Sequence, residues 1–146
     1  MFQSVKVLAV ATSFTLLAAA LPAYAGVIPF LTTLDAASMS PATDSAGTGL
    51  LDGTYDSSKQ SFTWTITYSG LSGEVTAIDF HGPARTGANA DILFTVTAPF
   101  ASPINGSIPV TAAQFGQLKD QRWYVVLHTA KYPDGEIRGQ LKPHNP

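Results

Sequence analysis

The chain has no cysteine, two glutamates, three histidines and eight lysines and arginines among its 146 residues. Each shortage removes a class of chemistry. Without cysteine there are no disulfides, no thiolate metal sites and no cysteine to carry a lipid anchor. So few cations, none of them in a run, make no stripe that could track phosphates, and nucleic acid is excluded as a partner. Glu74 and Glu136 are too few and too far apart to form a catalytic carboxylate pair. No Gly-x-Ser-x-Gly elbow is present for a hydrolase nucleophile. The expectation is a protein without enzymatic activity.

The sequence also has only one long apolar run, and it stands at the start. Lys6 precedes an apolar stretch over residues 7–21, followed by Pro22 and then Ala23-Tyr24-Ala25 before Gly26. Small residues at the first and third places of that triplet predict signal-peptidase cleavage after Ala25. The run falls short of the roughly 20 residues that a membrane-spanning helix needs. The expected product is exported, periplasmic or secreted, with no stable membrane anchor. Residues 26–146 form one domain by length, with its core over about residues 30–142.

What the chain does have is alternation. Phe62, Trp64, Ile66 and Tyr68 alternate with Thr63, Thr65 and Thr67, a period of two with β-formers on both faces. Trp123, Val125 and Leu127 alternate with Tyr124, Val126 and His128, and Ile137, Gly139 and Leu141 with Glu136, Arg138 and Gln140. Pro133-Asp134-Gly135 supplies the turn between these last two segments. Further strands are expected over residues 27–34, 47–55, 75–81, 92–96 and 107–110. Pro29 argues for an edge position in the first of them. Asn105-Gly106 reads as a break. Thr111, with Gln114 three residues on, predicts a capping box and a short helix over residues 111–118. About eight short strands separated by turn signals predict an all-β fold. The expected form is an antiparallel β-sandwich or flattened, Greek-key-like barrel, with one short helix before the last hairpin.

Several of these stretches carry a resemblance. The segment from Tyr124 to Thr129, followed by Gly135-Glu136-Ile137-Arg138-Gly139-Gln140-Leu141, resembles the closing motif of the CHRD (chordin-type) domain. Ser69-Gly70-Leu71-Ser72-Gly73 and Phe80-His81-Gly82-Pro83-Ala84 look like its central signature, and Thr111-Ala112-Ala113-Gln114 like its pre-hairpin turn. Two positions depart from the pattern. Asp79 stands where family members commonly carry His, and Met39-Ser40-Pro41 where they often carry Glu-Val-Pro. The resemblance implies an exported β module that binds a protein, matrix or cell-surface component, and it implies no particular activity.

A small polar set needs explaining. Asp79 and His81 lie two apart on one strand and so share a face. His128 ends another strand, and Glu136 and Arg138 share a face on the next. As a structural network, Glu136 or Asp79 would orient an imidazole, and Arg138 would pair with Glu136, Asp134 or a loop carboxylate. As a metal site, His81, His128 and Asp79 would form a two-His, one-carboxylate set for zinc or copper. A dinuclear site would need more imidazoles than the chain has. Trp123, Tyr124 and Tyr132 are candidates for an exposed aromatic patch, with Trp123 more often a core residue at this spacing.

Overall fold

A computed structural model describes residues 26–144. The expected export signal lies outside these residues. Eight antiparallel strands form a single sheet that curls into a half-barrel, so the expected all-β, sandwich-like or flattened-barrel fold holds. In chain order the strands are β1 (Val27–Asp35), β2 (Thr48–Asp56), β3 (Ser61–Ser69), β4 (Val75–His81), β5 (Ile92–Thr95) and β6 (Ile104–Pro109). Helix α1 (Ala112–Lys119), β7 (Tyr124–Thr129) and β8 (Ile137–Gln140) complete the chain. Across the sheet the order is β5-β4-β7-β8-β1-β2-β3-β6. No described helix is long and apolar enough to cross a membrane.

The curl follows from where the aromatic side chains meet. Four strands separate β3 from β4 in the sheet, yet Trp64 of β3 lies 5.0 Å from Phe80 of β4 and 5.5 Å from Phe94 of β5, centroid to centroid. Only a sheet folded back toward itself brings these faces together. Phe30, Phe62, Ile78, Phe80, Val125 and Leu127 are fully buried in the same core. Each such side chain contributes about 1.5–3 kcal/mol of transfer free energy. Helix α1 closes one end: Phe115 stacks on Tyr55 at 4.1 Å, and Leu118 is fully buried. Its capping box forms as the sequence predicts, with Thr111 and Gln114 each bonding the other's backbone.

Three expectations need correction. Strand β1 is not an edge strand, since it lies between β8 and β2. Pro29 is accommodated because its carbonyl accepts from His144 N, which places its missing N–H on the side of the C-terminal tail rather than on the β2 ladder. Residues 105–106 are not a break, because Asn105 and Gly106 belong to β6. A Cβ on Gly106 would sit 2.2 Å from the Trp64 indole, so the glycine is the space that ring occupies. Trp123 is a core residue, as its spacing favours, and Tyr124 is buried as well, so these two form no exposed aromatic patch.

The hairpin from β7 to β8 is buried on both faces, unlike β1 to β3. Every residue from Glu136 to Leu141 is buried. Val125, Leu127, Ile137 and Leu141 point into the core. The opposite face, bearing Tyr124, Val126, His128, Arg138 and Gln140, lies under the loops formed by residues 36–46 and 82–91. That covered face carries the candidate site.

Candidate metal centre

The site is built where β4 and β7 pair. Asp79 faces Val126 across the ladder, His81 faces Tyr124, and Ala77 faces His128. Asp79 and His81 therefore share the outer face with His128, which lies diagonal to Asp79. One ligand-capable atom from each of the three lies within 4.8 Å of the others. Asp79 is buried, and the two imidazoles are partly so.

Each side chain is oriented by a partner. Thr95, opposite Asp79 on β5, donates its hydroxyl to Asp79 Oδ1 at 2.5 Å, leaving Oδ2 facing His128. His81 Nδ1 lies 3.0 Å from Ala90 O, and His128 Nδ1 lies 2.9 Å from Pro133 O. A carbonyl oxygen only accepts, so both Nδ1 atoms carry protons. In its neutral form each ring then presents an Nε2 lone pair. Both Nε2 atoms are buried without a hydrogen-bond partner. His128 Nε2 is 3.2 Å from Asp79 Oδ2, an ion-pair distance, but the contact lacks hydrogen-bond alignment.

Electrostatics favours the neutral form of His81. Burial lowers its pKa first of all, and the neighbouring His128 ring and Arg138 guanidinium act in the same direction. The Ala90 carbonyl and Asp79 oppose the shift without reversing it.

Glu136 and Arg138 do not join this group in the way the sequence suggests. Glu136 touches neither imidazole. Its carboxylate is fully buried and accepts from Ser45 Oγ (2.6 Å), Ser72 N (2.7 Å), Ser72 Oγ (2.7 Å) and Thr129 Oγ1 (2.5 Å). Burial by itself would raise its pKa, but these donors outweigh burial and hold it below the ordinary carboxylate value. Arg138 does not pair with Glu136 or Asp134. It donates to Asn89 Oδ1, Ala88 O and Gln140 Oε1, and its guanidinium lies 3.5 Å over the Tyr124 ring. The two charges stand two residues apart, Glu136 just before β8 and Arg138 on it, with separate sets of neutral partners. Each ties a loop to the sheet: Glu136 holds residues 45 and 72, and Arg138 holds residues 88–89.

Thr95, Ser45 and Asn89 carry no marker in the sequence, and Ser72 and Gln140 stand out there only as members of the CHRD-like motifs, since nothing local distinguishes a loop serine that caps a carboxylate from one facing water. Neither a curated protein nor a solved structure matches the chain. The model of the CHRD domain matches residues 30–141, spanning β1 to β8 and every residue of the site, and the chain therefore belongs to the CHRD domain family.

Proposed function

We propose that this CHRD domain binds a single transition-metal ion through His81 Nε2, His128 Nε2 and an oxygen of Asp79, as an exported, non-enzymatic module. One observation carries the reading. Three electron-pair donors face one another, and both imidazole protons are committed elsewhere, to Ala90 O and Pro133 O. Lone pairs held together in this way repel unless a cation lies between them. A proton on His128 would satisfy Asp79 but would leave His81 Nε2 buried and unmet, at a cost of about 1–3 kcal/mol. A metal ion satisfies all three.

The donor set fits zinc or copper, with two imidazoles and one carboxylate. Ligand atoms around a tetrahedral ion stand about 3.4 Å apart, given bond lengths of about 2.0–2.1 Å. Separations of up to 4.8 Å thus close on binding by side-chain rotation. The carbonyls on both Nδ1 atoms and the Thr95 hydroxyl on Asp79 are the kind of outer partners that fix ligand orientation. Here Asp79 supplies the carboxylate where family members commonly carry a third imidazole. Export is supported by the apolar run over residues 7–21 and the Ala23-Tyr24-Ala25 triplet.

The test is titration of metal-stripped protein with zinc(II) and with copper(II), with His81→Ala and His128→Ala alongside. The expected result is one ion per chain at micromolar affinity or tighter, weakened at least a hundredfold in each variant. Equal uptake by all three proteins, or none by the wild type, would contradict the proposal.

A partner-binding role without metal is a second reading. It is favoured by a groove of about 290 Å³ between residues 39–43 and 131–135, lined by Met39, Pro41, Tyr132 and Pro133. Partner capture that persists in His81→Ala but is lost on Tyr132→Ala would support it.

A further inference from the structure

His81 is not held by its own strand alone. Its imidazole lies parallel to the Tyr124 ring, with centroids 4.9 Å apart and planes 3° from coincident. Tyr124 sits on β7, flanked by His81 on the β4 side and by β8 on the other. Arg138, from β8, places its guanidinium carbon 3.5 Å from the centre of the same tyrosine ring. The three side chains form a stack running imidazole, phenol, guanidinium across three adjacent strands.

The stack and its surroundings also control the atom that fixes the His81 tautomer. Ala90 O accepts from His81 Nδ1 and also from the Tyr124 hydroxyl at 3.2 Å, while Ala90 N donates to the Tyr124 oxygen at 2.9 Å. Arg138 holds the same loop just upstream through Ala88 O at 2.8 Å and Asn89 Oδ1 at 3.1 Å. Gln140 takes Ala84 O at 2.8 Å and supports the guanidinium at 3.1 Å. Arg138 is only 2% exposed, and none of its partners is a carboxylate. Burying a cation without a counter-charge is costly, so its contacts must supply the compensation. Those contacts are the loop carbonyls and the face of Tyr124.

We infer that Tyr124 and Arg138 are positioning residues for the metal centre, setting the ring plane of His81 and the place of the Ala90 carbonyl so that His81 Nε2 faces His128 and Asp79. Neither residue touches the ion. The inference rests on the metal-binding reading. It adds that affinity is governed from β8 and from the loop of residues 82–91, outside the ligand set. Outer partners of metal-bound imidazoles typically change affinity by about 10–100-fold when removed.

The experiment uses copper(II) as the probe on the full protein, reading affinity by competition titration, site geometry by electron paramagnetic resonance, and folding by melting of the metal-free form. Tyr124→Phe keeps the ring and removes both Ala90 contacts. Arg138→Lys keeps the charge and loses the planar fork. Each is expected to weaken binding by about 10–100-fold and to shift the copper spectrum at saturation. Asn89→Ala removes an exposed acceptor of Arg138 and serves if either of the others fails to fold. Its expected loss is smaller, about three- to tenfold, with melting unchanged. Wild-type binding with folded variants of unchanged affinity and spectrum would overturn the inference while leaving the metal site standing. Failure of the wild type to bind copper would overturn both.

Discussion

Two hairpins of the same sheet use their outer faces in opposite ways. In β2 and β3, inward residues such as Leu51, Tyr55, Phe62 and Ile66 are buried, while Asp52, Thr63 and Thr67 face solvent. In β7 and β8 the inward residues are equally apolar, but the outward ones are covered too: Tyr124, Val126, Arg138 and Gln140 are buried and His128 is partly so. The first hairpin is a half-wetted antiparallel ladder, which needs only alternation to be stable. The second is covered by loops that side-chain hydrogen bonds tie to the strands. Covering a face costs desolvation of every polar group on it, so that face is populated only where each group has a partner. The two that lack one, His81 Nε2 and His128 Nε2, point at each other's surroundings and at Asp79. The contrast separates what holds the fold from what the fold holds.

The comparison is broken most severely through the shared core. Phe62→Ala empties a position that contacts Phe30 edge-on at 5.5 Å and stacks near Trp64 at 5.9 Å. The expected loss is about 3–5 kcal/mol in urea unfolding. A loss below about 1 kcal/mol would show that the curled sheet does not depend on this packing.

Next comes the covered face itself. Glu136→Ala leaves Ser45, Ser72 and Thr129 without their acceptor and releases two loops, for an expected loss of about 3 kcal/mol. By contrast Thr67→Ala, on the wetted face of β3, is expected to stay within about 0.5 kcal/mol. Equal effects from the two variants would erase the distinction between the hairpins. Because His128 and Glu136 share no contact, the double variant His128→Ala/Glu136→Ala is expected to be additive within about 0.5 kcal/mol. The pH dependence follows from the same carboxylate. Its native pKa lies below the ordinary 4.5, so its stabilisation is complete above that value and is lost as pH falls from 4.5 through the lower native value. Wild-type stability should therefore fall with acid in this window, and the Glu136→Gln variant should show a shallower slope.

The smallest effects sharpen the comparison by steric means. A Cβ at Gly139, on β8, would meet Thr33 O at 2.7 Å and Thr32 Cγ2 at 2.7 Å, whereas at Gly73 it would meet nothing within 4 Å. Gly139→Ala is expected to cost about 1–3 kcal/mol and Gly73→Ala less than about 0.5 kcal/mol, measured by thermal melting. Similar melting points for the two would contradict the close approach of β8 to β1.

How much of this could be read in the sequence differs between the two hairpins for the same reason. The alternation of Phe62, Trp64 and Ile66 with threonines is a local pattern, and β3 runs where that pattern places it. The capping box of α1 is likewise local, a matter of Thr111 and Gln114. Strand periodicity alone puts Asp79 and His81 on one face, whereas His128 joins them only through the pairing of β4 with β7. Their partners were not. The bond from Ser72 to Glu136 spans 64 positions and that from Arg138 to Ala88 spans 50, and no local signal marks either. Charge alone suggested that Glu136 and Arg138 would pair, but neighbouring loops reach each of them first with neutral groups. Gly106 misled because its role depends on Trp64, across the strand pair, rather than on its own neighbours.

The most direct test of the central claim is elemental analysis of the protein purified from the cells that produce it, without added metal. The account predicts one zinc or copper per chain, absent from Asp79→Ala, His81→Ala and His128→Ala variants that still fold. Wild-type protein with no bound metal, which also takes up none after dialysis against either ion, would contradict it. The facing lone pairs would then be neutralised by a proton, and the covered face would be a structural network alone.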